Sequence, residues 1–174
     1  MNGTLPTASA PNPTKNLDLV DMACGLAEAA ERFGIPAPPG APVRAWVRLA
    51  GNPTFDAWLM WWPPGGAVDF HDHGGSAGAI VVLSGSLVEV QPGHRRPRRR
   101  VLRKGATRTI TPDAVHDVVN EGATPAVSVH VYSPPLTTMT FYDPDGREPL
   151  RVTPVHDDGP RLDAAATFGW TGAP

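Results

Sequence analysis

Ala126-Val127-Ser128-Val129-His130-Val131-Tyr132-Ser133 alternates with a period of two. Val127, Val129 and Val131 fall on one face and Ser128, His130 and Tyr132 on the other, the signature of an extended strand. A pure valine face requires an apolar layer against it. The opposite face carries a hydroxyl, an imidazole and a phenol, and it either meets bulk water or lines an interior. In an interior the groups must be hydrogen-bonded, because each buried unpaired costs roughly 1–3 kcal/mol. The interior reading therefore implies a network in which His130 bridges the Ser128 hydroxyl and the Tyr132 phenol.

Working outward, the same short-strand grammar fills most of the chain. Upstream lie Val43–Ala50, Phe55–Trp62, Ala67–His71, Ala77–Leu83, Ser86–Gln91, Arg99–Arg103, Thr107–Thr111 and Val115–Asn120; downstream lie Thr138–Tyr142 and Leu150–Thr153. Turn sequences such as Pro63-Pro64-Gly65-Gly66, Ser84-Gly85, Pro92-Gly93 and Glu121-Gly122 separate them. About ten short strands with regular turns predict an all-β fold, a sandwich or barrel of the jelly-roll kind. Ahead of them, Leu19, Val20, Ala23, Cys24, Ala27 and Ala30 recur at helical spacing, predicting a helix over 17–33 with Asn16 or Asp18 as N-cap and Gly34 and Pro36 as its stop. Residues 1–15 read as a flexible lead-in, and 155–174 as an irregular tail whose Phe168 and Trp170 could dock on the barrel.

Composition bounds the rest. A chain of 174 residues, 41% hydrophobic, fits one domain, 16–174, with the β-barrel over about 43–154. A net charge of −2 offers no global attraction to nucleic acid or anionic membranes. The run His94-Arg95-Arg96-Pro97-Arg98-Arg99-Arg100 lacks interleaved aromatics and reads as a solvated hairpin loop. With no bilayer-length apolar run and no leader-like start, a cytoplasmic protein is expected. A monomer is expected too, since no large apolar stripe is left over. The single cysteine, Cys24, excludes an internal disulfide or a Cys-based zinc site and falls on the apolar stripe of the helix.

The chemistry-bearing residues are histidines. In Phe70-His71-Asp72-His73-Gly74-Gly75-Ser76 an extended backbone would point His71 and His73 together and Asp72 away. His116 follows on a later strand. Three neutral imidazoles suit iron, copper, nickel or zinc better than magnesium or calcium. Trp58, Trp61 and Trp62 read as core and barrel wall.

Gly65, His71, His73, Gly78 and Gly85 resemble the first cupin motif, and Gly105, Pro112, His116 and Asn120 the second. Where most cupins carry a metal-binding glutamate, this chain has Ala77 or Gly78, so the resemblance implies a three-His site. Together with Ser128-Val129-His130-Val131-Tyr132-Ser133-Pro134-Pro135-Leu136 and Trp58-Leu59-Met60-Trp61-Trp62-Pro63-Pro64-Gly65, the stretch from Arg44 to Tyr142 resembles the cysteine dioxygenase family of thiol dioxygenases. The resemblance implies Fe(II) held by His71, His73 and His116, with Ser128, His130 and Tyr132 as an outer-sphere catalytic triad. A small thiol and dioxygen would be the substrates and a sulfinic acid the product, L-cysteine ahead of 3-mercaptopropionate. A non-catalytic metal- or small-molecule-binding cupin is the alternative from another class. The resemblance also implies a substrate carboxylate anchored by an early-strand arginine, for which Arg48 is the first choice and Arg44 the second. In family members that crosslink the active-site tyrosine to a cysteine, that cysteine aligns with Gly78; Tyr132 is therefore expected as a free phenol.

Overall fold

A computed structural model describes residues 18–34 and 44–155. The chain runs α1 (Leu19–Phe33), β1 (Ala45–Asn52), β2 (Phe55–Trp62), β3 (Ala77–Ser84), β4 (Ser86–Gln91), β5 (Arg98–Arg103), β6 (Thr107–Ile110), β7 (Asp117–Val119), β8 (Ala126–Ser133), β9 (Thr138–Tyr142) and β10 (Pro149–Pro154). The predicted lead-in over 1–15, Val43, Pro36, His156, Phe168 and Trp170 lie outside the described residues.

Every strand pairing among the described residues is antiparallel. A five-stranded sheet has the order β1-β2-β8-β3-β6, a three-stranded sheet the order β5-β4-β7, and β9 and β10 form a ribbon. Leu87, Leu102 and Val118 of the smaller sheet pack in one cluster with Trp46, Trp58, Trp62, Ile80 and Tyr132 of the larger. The two sheets thus close face to face as the expected jelly-roll barrel.

The strand β8 lies inside its sheet, between β2 and β3, and both of its faces are covered. Val129 and Val131 pack with Leu59, Trp61, Ala79 and Val81 beneath Ala23, Ala27 and Ala30 of α1. These small helix residues let the helix axis approach the sheet closely. The other face of β8, carrying Ser128, His130 and Tyr132, is turned into the barrel and is almost fully buried. Of the two readings open for that polar row, the interior one is correct. The helix starts where Asp18 accepts hydrogen bonds from the amides of Val20 (3.0 Å) and Asp21 (3.3 Å), and stops at Gly34, which takes a left-handed conformation. No helix among the described residues is long and apolar enough to cross a membrane.

Two strand expectations need correction. Residues 67–71 form no strand: Ala67 and His71 make isolated bridges, and Asp69 between them has φ +68°. Likewise β7 is confined to Asp117–Val119, and His116 precedes it in a single bridge to His71. The two segments meet each other only through the single bridges Ala67 to Val119 and His71 to His116.

Candidate metal centre

The backbones of His71 and His116 hold each other directly. The His71 amide donates to the His116 carbonyl at 2.9 Å, and the His116 amide donates back at 3.0 Å. Beyond His71 the chain turns through Gly74 and Gly75, both at positive φ. Asp72 points out of the site and fastens this turn, accepting from the Gly74 amide (2.9 Å) and from the Tyr142 hydroxyl (2.7 Å). His71 and His73, on either side of Asp72, face inward together.

The three imidazoles are buried, at 3% exposure or less, and their ligand atoms lie within 4.8 Å of one another. His73 Nε2 stands 3.3 Å from His71 Nε2 and 3.4 Å from His116 Nε2. The tautomers follow from the outer nitrogens. His71 Nδ1 lies 2.8 Å from the Asp69 carbonyl and His116 Nδ1 lies 3.2 Å from Glu89 Oε1. Both partners only accept, so each Nδ1 carries the proton and each Nε2 directs a lone pair inward. Burial first, and then the neighbouring imidazoles, push His71 well below the ordinary histidine value and His73 down to about 3. Neutral nitrogens about 2 Å from a common ion stand roughly 3 to 3.5 Å apart, so this donor set fits a metal ion. Burying converging lone pairs without one would leave them unsatisfied.

Beside the histidines runs a one-way relay. Trp62 Nε1 donates to Ser128 Oγ at 2.9 Å; Ser128 Oγ lies 2.8 Å from His130 Nε2, and His130 Nδ1 lies 3.2 Å from the Tyr132 hydroxyl. Indole N–H can only donate, so the Ser128 proton is free to go to His130 Nε2, which leaves the His130 proton on Nδ1, facing the Tyr132 oxygen. In the reverse tautomer the buried Ser128 proton would have no acceptor in this chain of bonds. The phenol proton of Tyr132 is thus left to point into the barrel. Burial keeps His130 neutral and pushes the Tyr132 phenol well above its usual value, so it stays protonated. Its ring packs on His73, with centroids 4.7 Å apart.

A cavity of about 30 Å³ lies between these groups. Its polar lining includes His71, His116, His130 and Tyr132, and its apolar lining includes Trp46, Trp58, Met60, Leu136 and Met139. Trp58 and Trp62 therefore face the cavity as well as the core, while Trp61 packs under α1. Arg44 supplies the cavity's cation. It is 5% exposed, its guanidinium lies 5.5 Å from the Trp46 ring and 5.2 Å from that of Trp62, and burial lowers its pKa to about 10. Arg48, the first-choice anchor, does not line the cavity. It shares the inward parity of Arg44 and Trp46, but a bulge follows it in β1 and its guanidinium folds across Trp58 onto Gly51, filling the space that a Cβ there would need.

Asn120 acts on the frame, donating to the carbonyls of Trp62 (3.0 Å) and Thr124 (2.9 Å). Sequence reading overlooked Glu89, a lone charge between Val88 and Val90 at a position where an inward-facing apolar residue is normal; that mismatch was the available signal.

The family model described as "Cysteine dioxygenase type I" matches residues 40–145. Cysteine dioxygenase type 1 of Homo sapiens is 33% identical over 103 residues, which cover 53% of this chain and 52% of that protein. The chain thus spans about half the length of the curated relatives it matches. Among solved structures, TT1209 from Thermus thermophilus superposes with a TM-score of 0.52 at 24% identity, over 59% of this chain and 94% of that one. A sugar phosphate isomerase of the cupin superfamily from Silicibacter pomeroyi gives 0.51 at 22%, over 68% and 74%. These structures share the cupin barrel with this protein. With the match extending from before Arg44 to just past Tyr142 and taking in all three histidines and the relay, the chain belongs to the cysteine dioxygenase type I family.

Proposed function

We propose that this protein is a non-haem iron(II) thiol dioxygenase that adds both atoms of dioxygen to the sulfur of a small carboxylated thiol, converting L-cysteine to its sulfinate. The observation that carries the reading is that two histidines of a three-His donor set, His71 and His116, line one small cavity together with the Tyr132 phenol and the buried Arg44. Iron(II) held by His71, His73 and His116 would activate dioxygen and acidify a thiol at the site. The thiol supplies the electrons itself, so no outside reductant enters.

The roles of the side chains follow from their chemistry. Arg44 offers a carboxylate a planar fork of N–H donors. Clamping it between two indoles limits the freedom it must lose on binding. Tyr132 donates a hydrogen bond to the reacting oxygen or sulfur, and Trp62, Ser128 and His130 hold that proton in place. The aromatic wall excludes water and limits the substrate to a few heavy atoms.

The test is anaerobic loading with ferrous iron, followed by oxygen uptake with L-cysteine, 3-mercaptopropionate and cysteamine. Uptake matched by sulfinate formation from L-cysteine is expected, with cysteamine poor for want of a carboxylate. If 3-mercaptopropionate is the better substrate, the reaction class stands and the substrate assignment changes. Absence of thiol-dependent uptake with all of them would overturn the proposal.

A further inference from the structure

We propose that Glu89 is a positioning residue of the metal centre: its carboxylate holds the proton on His116 Nδ1 and makes that imidazole a stronger donor, and Arg108 sets how much of the negative charge His116 receives. The inference rests on the reading that His71, His73 and His116 hold a metal ion.

Glu89 is 2% exposed, on the inward face of β4, across the ladder from the cavity residue Val118. A carboxylate in this apolar setting carries a desolvation penalty that the barrel does not require of it, since Leu87 on the same face is an ordinary core residue. Both of its oxygens are engaged. Oε1 accepts from His116 Nδ1 at 3.2 Å, with Gln91 Nε2 at 3.4 Å, and Oε2 accepts from Arg108 Nε at 2.5 Å. Arg108 comes from β6 of the opposite sheet and is partly open to solvent, so its charge only partly offsets that of Glu89.

The other two histidines are backed differently. His71 Nδ1 donates to a neutral carbonyl, and His73 Nδ1 is buried with no hydrogen-bond partner among the described residues. Among the described residues, only His116 of the three has a carboxylate hydrogen-bonded to its outer nitrogen. A carboxylate in this place fixes the ring's orientation and raises the basicity of the nitrogen that faces the metal. Ala77 and Gly78 put no anion next to the ion, and Glu89 supplies one a ring-width further out.

A plain staple between the two sheets would use the same ion pair, and the sign of two substitutions separates the roles. Metal-free full-length protein is titrated with Co(II), reading both affinity and the d–d absorption bands, alongside thermal unfolding without metal. Glu89→Gln, which keeps the shape and removes the charge, is expected to weaken Co(II) binding about 10- to 100-fold and shift the bands. Arg108→Gln, which leaves the carboxylate to His116 alone, is expected to bind Co(II) as tightly as wild type or more tightly, with the bands moved the opposite way. Equal affinity and an unchanged spectrum in Glu89→Gln would overturn the proposal, and so would an Arg108→Gln that weakens binding as Glu89→Gln does. Should Glu89→Gln fail to fold, Arg108→Gln decides by itself, because an unchanged spectrum there also overturns it. A wild-type protein that binds no Co(II) would instead defeat the three-His reading.

Discussion

Gly78 stands opposite Tyr132 in the β3–β8 ladder, and a Cβ at position 78 would lie 3.2 Å from Tyr132 Cδ1 and 3.3 Å from Cε1. These contacts are tighter than ordinary packing, so the ring must give by a few tenths of an ångström to admit a methyl group. Gly78→Ala should therefore displace the ring that carries the inward proton. Overpacking of this kind costs roughly 1–3 kcal/mol. The expected outcome is a lower unfolding temperature and slower thiol-dependent oxygen uptake at unchanged metal content. Wild-type turnover in this variant would show that the position of the Tyr132 ring is not critical.

Tyr132→Phe removes the proton without moving the ring. Turnover should fall by about 10²-fold, the scale for loss of one donor to a reacting centre, while iron content stays near wild type. Metal analysis beside steady-state oxygen uptake checks both halves. Iron lost with the hydroxyl would mean that Tyr132 supports the metal rather than the reaction.

Arg44 and Arg48 make opposite predictions for the carboxylate. A charge-assisted hydrogen bond is worth about 1.5–3 kcal/mol, so Arg44→Gln should raise KM for L-cysteine roughly 10- to 100-fold and leave cysteamine kinetics nearly unchanged. Arg48→Gln, whose guanidinium lies over Trp58 and against Gly51, should alter KM little. KM measured for both thiols in both variants decides between the two positions.

Metal removal should destabilise the barrel, because the histidines join the loop at 71–73 to the segment before β7. A metal present at about a hundredfold over its Kd stabilises by about 2.7 kcal/mol. Calorimetry before and after chelation should therefore show a lower Tm that ferrous iron restores.

Acid should destabilise the metal-free protein in a defined direction. His71 and His130 lie well below the ordinary value of 6.5 and His73 lies at about 3, all chiefly through burial. Between those values and 6.5 the unfolded chain binds more protons than the folded one. Stability is thus fully present above about pH 6.5 and falls as pH drops below it. Denaturant unfolding at about pH 7.5 and about pH 5.5 measures the loss; equal stability at both would show that these rings are hydrated in the metal-free state.

Much of the site was legible because its residues fall on one short-range pattern. The alternation through Ser128, His130 and Tyr132 survives folding intact, since a central strand cannot turn a side chain to the other face without shifting the whole register. His71, His73 and His116 stand out by type and spacing, and the alternation that turns His71 and His73 inward and Asp72 outward is kept; the backbone bridge that adds His116 depends on a partner distant in sequence. Arg44 and Arg48 share a parity, and nothing local separates them. The bulge after Arg48 and the indoles around Arg44 depend on partners distant in sequence.

The sequence by itself determined the strand grammar, the helix with its Asp18 and Gly34 ends, and the residue types able to bind a metal, because periodicity and capping are local properties. Only the tertiary structure decided which face of β8 is interior, which arginine enters the cavity, and that Glu89 stands behind His116. Those outcomes depend on which surfaces the two sheets bury against each other, and burial is a property of the assembled barrel that no short stretch of chain carries.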